Sequence, residues 1–107
     1  MQFLAVSRRR TECYADEQFS GLVDAEIQQA SVLYGQGFIR QIWHRRDMPG
    51  GCLLLEAASL EEAVAQLNTL PMYRSGMVEV TVIPLLPYAG FSPRDRSPLE
   101  SVEVASP

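Results

Sequence analysis

The spacing of apolar positions changes character several times along the chain, and each change marks an element. Residues 2–7 alternate with period two and predict a first strand. Between about Asp16 and Gly35 the period lengthens. Phe19, Leu22, Val23, Ile27, Ala30, Leu33 and Tyr34 recur three and four positions apart, which predicts a single long helix with one buried face. Gly35 and Gly37 end it, because glycine accepts the left-handed conformation of a helix cap. Residues 38–45 read as a second strand, 47–51 as a turn and 52–57 as a third strand. Ser59 and Glu62 form a Ser-x-x-Glu capping box ahead of a helix whose apolar stripe is Leu60, Ala63, Val64 and Leu67. Pro71 follows its end. Residues 77–83, rich in β-branched side chains, predict a fourth strand. Residues 1–91 are taken as one domain and 92–107, where prolines fall among serines and charges, as a tail that is mobile or packed on a partner subunit.

The predicted order is strand, helix, strand, strand, helix, strand. Two right-handed crossovers around a central hairpin give a ferredoxin-like α+β fold, βαββαβ, with a four-stranded antiparallel sheet and both helices on one face. Two helices cover only one side of a sheet, yet several strands are apolar on both sides. Phe38 and Ile42 point one way in the second strand while Ile39 and Trp43 point the other, and Leu54 opposes Leu53 and Leu55 in the third. Soluble monomers rarely leave such a face open. A homodimer packed sheet to sheet is therefore expected, with a higher homo-oligomer open as an extension.

Composition narrows the partners. The 107 residues carry a net charge of −4, and all nine basic residues are arginine. The run Arg8-Arg9-Arg10 is soon answered by Glu12, Asp16 and Glu17, so no dense basic footprint for nucleic acid exists. No apolar run approaches the ~18 residues that span a bilayer, and the first apolar stretch precedes its arginines, the reverse of a secretory signal. Cys13 and Cys52 lie in unlike contexts and predict no disulfide, so a reduced cytoplasmic protein is expected. One histidine and two separated cysteines do not compose a metal cluster, and no phosphate-cradling glycine motif is present.

Within this frame the chain resembles the muconolactone isomerase family, small dimeric α+β barrel proteins. The resemblance runs from about Phe3 to Leu85. It is carried by Gly37-Phe-Ile-Arg40-Gln-Ile-Trp43, by Ser59-Leu-Glu-Glu62 with Leu67, by Leu70-Pro71, and by Val78-Glu79-Val80-Thr81 followed by Pro84-Leu85. Gln41 stands where the isomerases carry histidine, and His44 where they carry arginine. The resemblance implies a cofactor-free small-molecule enzyme that moves a double bond within an unsaturated lactone acid by a proton shift, in aromatic-compound catabolism. Two other readings stay open: a non-catalytic ligand-binding module of the same fold, and a cofactor-independent oxygenase of an aromatic compound.

A proton shift needs a base of tuned pKa, with cationic or hydrogen-bonding groups where the dienolate develops. Glu26 falls near the centre of the first helix's apolar stripe, where desolvation raises a carboxyl pKa, and it is the expected acid–base. Arg40 and His44 share one strand face by period-two alternation. Arg40, which matches the family motif, is expected to hold a substrate carboxylate, and His44, the only histidine, to act as a base. Trp43 is expected against the substrate or at the dimer interface. Glu79 matches the family and completes an acid–base pair or an inter-subunit ion pair, and Tyr73 is placed as a lid.

Overall fold

The computed structural model describes residues 1–91; the tail expected over 92–107 lies outside them. Four strands, β1 (Gln2–Arg9), β2 (Ile39–His44), β3 (Gly51–Glu56) and β4 (Val78–Leu85), form one antiparallel sheet in the order β2-β3-β1-β4. This is the ferredoxin-like arrangement expected from the element order. The central strand β1 pairs with β3 through Ala5–Leu53 and with β4 through Ala5–Val82. β4 runs on through Pro84 opposite Phe3. It is an edge strand, where a residue lacking an N–H is tolerated.

The helical layer departs from the expectation of two helices. The predicted long helix is two segments, α1 (Asp16–Ser20) and α2 (Val23–Gly35), meeting at Gly21 and Leu22. The break has a packing cause. Phe19 belongs to a small cluster with Met72, Met77 and Val78, whereas Leu33 belongs to the main core with Phe3, Leu53 and Leu55. One straight rod does not serve both clusters, and glycine, a weak helix former, marks the joint. α2 then ends as predicted. Gly37, at φ +82°, directs its N–H to Tyr34 O, and Phe38 N–H reaches Leu33 O, a Schellman closure.

α3 (Leu60–Leu67) begins at Ser59, whose Oγ accepts from Glu62 N at 3.1 Å. Glu62 Oε2 answers by accepting from Ala58 N, one residue before the cap, at 3.1 Å. Only Ala63 and Leu67 of its predicted stripe are buried; Leu60 and Val64 are exposed. A short α4 (Pro71–Arg74) follows, with Pro71 in the first turn, where its missing N–H costs nothing.

The side facing the helices holds Phe3, Ala5 and Ser7 of β1 with Leu53 and Leu55 of β3, all buried. The opposite side carries Leu4, Val6, Cys52, Leu54, Trp43 and Ile83, partly or largely exposed among the described residues.

β2 differs from the predicted regular alternation. Ile39 pairs with Leu55 and Gln41 with Leu54, so two steps on β2 match one on β3, and Arg40 is the extra residue of a β-bulge. Beyond the bulge Ile42 and His44 return to the helix side with Leu53 and Gly51. Ile39 therefore shares a side with Ile42 and His44, not with Trp43. Arg40 does not share His44's face.

Candidate functional site

α2 stands off the sheet, and the gap is a cavity of about 840 Å³. Its apolar walls include Val23, Ile27 and Ala30 of α2, Ile39, Ile42 and Leu53 of the sheet, and Leu70 and Met72. Ile27 and Tyr34, predicted to be core, are 60% and 66% exposed because they stand at this opening rather than against the sheet.

Polar and charged side chains, among them Glu26, Arg9, Arg45, Tyr73 and Ser7, border an otherwise apolar chamber. Glu26 is half-buried, and its Oε1 accepts from Met72 N at 2.9 Å, tying α2 to α4. Its Oε2 has no partner among the described residues. Burial raises the Glu26 pKa above the ordinary carboxylate value, a desolvation effect opposed by the Met72 N–H and by the charges of Arg9 and Arg74. Glu26 borders the cavity from α2.

Arg9 reaches the cavity from the end of β1. Its guanidinium carbon lies 5.2 Å from the centre of the Phe19 ring, a cation–π arrangement that holds the planar group in place. It makes no side-chain hydrogen bond or ion pair among the described residues. Arg45, at the opposite edge, is bound twice by Asp47, at 3.0 and 2.7 Å, and reaches Ser7 O at 3.3 Å. Arg45 is thus neutralised by Asp47, whereas Arg9, whose charge acts on Glu26, has no acidic partner in an ion pair among the described residues.

Tyr73 projects inward from α4 rather than closing over the cavity as a lid. Its hydroxyl donates to Ser7 Oγ at 3.1 Å, and burial raises its pKa, so the phenol stays protonated near neutrality. Ser7, 3% exposed, also accepts from Gly51 N at 3.1 Å. His44 is exposed on the rim. Gln41 and Trp43, whose register puts them on the other face with Leu54 and Cys52, border the cavity from the edge strand.

Glu26, His44, Trp43 and Tyr73 are thus brought together around one space. Arg40 and Glu79 are not. Arg40 is exposed in the bulge, and Glu79 lies on the opposite face, where Arg8 Nε reaches its Oε1 at 3.3 Å. Sequence reasoning missed Ser7 and Arg9. A signal existed: both have the parity of Phe3 and Ala5 in β1, hence the helix side, but Arg9 reads as part of a charged run and Ser7 as a surface serine. Among the described residues no group of three or more histidine, cysteine or acidic side chains is placed to hold a metal ion, and no helix is long and apolar enough to cross a membrane.

No protein-family model matches the chain, and no curated protein matches it in sequence. A solved structure is similar to it: 5-chloro-2-hydroxyhydroquinone dehydrochlorinase (TftG) from Burkholderia phenoliruptrix AC1100, in complex with 2,5-dihydroxybenzoquinone. The TM-score is 0.66 over 82% of this chain and 96% of that one, at 19% identity. A likeness at that identity is one of fold.

Proposed function

We propose that the chain is a small-molecule enzyme of the muconolactone isomerase type, moving a proton within an unsaturated lactone or a related carboxylate or carbonyl compound. The observation that carries this reading is Glu26: a carboxyl of raised pKa with one oxygen unpartnered, bordering an apolar cavity, with Arg9 nearby. The Glu26 carboxylate removes a C–H proton beside the conjugated system, and the bond's electron pair passes into the carbonyl as a dienolate. Arg9 faces that negative charge, in a setting where desolvation strengthens the attraction. The protonated Glu26 then returns the proton at a different carbon. Neither step consumes an oxidant, a reductant or a cofactor.

Arg9 takes the anchoring role that the resemblance gave to Arg40, because the bulge leaves Arg40 outside the cavity. His44, at the rim, is kept as a second proton-handling group. A protein of the same fold is named as acting on a hydroxylated, chlorinated ring, which supports small-molecule chemistry for this architecture. The open apolar sheet face supports a homodimer.

The test is isotopic. Carboxylated butenolides and simple cyclic enones are incubated with the protein in D2O and followed by NMR. Deuterium is expected to enter the carbon next to the conjugated system of at least one compound, and Glu26→Gln is expected to slow this by about 10²–10⁴-fold, the usual scale of general acid–base catalysis. Exchange that Glu26→Gln leaves at full rate would end the proposal.

A further inference from the structure

Ser7 is a buried hydroxyl in the middle of the sheet's helix side, where β1 otherwise places Phe3 and Ala5. Three segments converge on this residue. Gly51 N at the start of β3 donates to its Oγ at 3.1 Å, Tyr73 of α4 donates to the same atom at 3.1 Å, and Arg45, just after β2, reaches its backbone carbonyl at 3.3 Å. Ser7 Oγ donates in turn to Gly51 O at 3.4 Å. A serine oxygen has two lone pairs and one proton, so these contacts use its full capacity. The proton of Tyr73 is thereby committed to Ser7, inside the fold.

The consequence falls on the cavity that Tyr73 lines. A phenol whose proton is engaged elsewhere has only lone pairs left to offer a ligand. We propose that Ser7 is a positioning residue that fixes Tyr73 as a hydrogen-bond acceptor, so that the cavity selects ligands bringing a hydroxyl, enolic or phenolic, to Tyr73 over ligands bringing only a carbonyl or an ether there. This rests on the reading of the cavity as a small-molecule site and narrows its substrate class. A ligand without the hydroxyl leaves the Tyr73 oxygen and its own oxygen facing one another, two acceptors with no proton between them. Such mispairing is penalised more heavily than a merely absent contact.

The experiment measures binding without turnover, so a failure of the deuterium exchange described above leaves it intact. The probes are 2-naphthol and 2-methoxynaphthalene, two flat apolar rings that differ in whether their oxygen carries a proton. Calorimetry on the full chain is expected to show 2-naphthol binding about tenfold more tightly. Tyr73→Phe is expected to bring the two affinities within about twofold. Ser7→Ala releases the Tyr73 proton to turn into the cavity, so the preference is expected to fall below about threefold as 2-methoxynaphthalene gains a donor. A Ser7 that only supported the fold would weaken both probes alike and leave their ratio near ten, which would overturn the proposal. Equal binding of the two by the unmodified protein would overturn it as well, and binding of neither would remove the cavity reading together with it. Should Ser7→Ala fail to fold, Tyr73→Phe decides alone: a ratio that persists there rejects the assignment.

Discussion

At the scale of single residues, the carboxyl of Glu26 and the backbone around Ser7 make the sharpest predictions. Glu26→Gln keeps an oxygen that accepts from Met72 N and removes only the charge. The Glu26 pKa is higher in the folded chain than its ordinary value of 4.5, with burial the leading cause. A carboxyl with a raised folded pKa stabilises the fold most below its unfolded pKa, and that contribution is lost as pH rises through the folded pKa. The stability of Glu26→Gln relative to the unmodified chain is therefore expected to increase from about pH 4.5 upward and then level off. Urea midpoints between pH 4 and 8 measure this, and a difference flat in pH would show that the carboxyl is not desolvated. Gly50 is a second case. An added Cβ there would overlap Ser7 O and lie 2.9 Å from Arg8 Cα, both backbone atoms of the central strand. Gly50→Ala is expected to cost about 2–3 kcal/mol or more in a denaturant titration, because neither atom can swing away. Glu26 was legible from sequence as a lone acid on a helical apolar stripe. Ser7 and Arg9 were not, since alternation tells which side chains share a face and says nothing of where a helix lifts away to leave a hollow.

At the scale of elements, the four strands and the capped helix α3 were readable because each has a local cause: β-branched alternation, a glycine closure, and a serine with a glutamate three residues on. Ser59→Ala removes the acceptor for Glu62 N and is expected to lower stability by about 1 kcal/mol, visible as a drop in melting temperature. The bulge at Arg40 was not readable. The pairing partner of β2 is β3, and an extra residue shows only once both strands are laid side by side. Its effect reaches the site, because it places Ile39 with Ile42 and His44 and sets Arg40 outside the cavity. Arg40→Ala is accordingly expected to leave ligand affinity within about threefold, whereas Arg9→Met, which keeps an apolar stem over Phe19, is expected to weaken carboxylate-bearing ligands at least tenfold. Reversed effects in the same binding assay would return the anchoring role to Arg40. The split of the first predicted helix has the same kind of origin: Phe19 and Leu33 lie in phase on one stripe but answer to two different clusters.

At the scale of the whole molecule, the helices cover one side of the sheet and the described residues leave the other bare. Leu4, Val6, Leu54 and Ile83 form a continuous apolar surface across β1, β3 and β4, and Trp43, 48% exposed, extends it to the edge. Arg8, Glu12 and Glu79 form a charged rim at its other end, linked by bonds of 2.9 to 3.3 Å. A greasy centre with a charged border is the anatomy of a protein–protein interface, and a twofold pairing of identical sheets buries the same patch on both partners. The expected species at micromolar concentration is therefore close to twice the chain mass of 11.9 kDa by sedimentation. Leu54→Glu puts a carboxylate at the middle of this surface while sparing the helix-side core, where Leu53 and Leu55 lie. It is expected to yield a folded monomer with an unchanged far-ultraviolet spectrum, since a desolvated unpaired charge at the centre of an interface is far costlier than one at its rim. A chain that sediments as a monomer before any substitution would show that this face is covered in some other way, and the dimer would have to be given up while the cavity on the helix side stood unaffected.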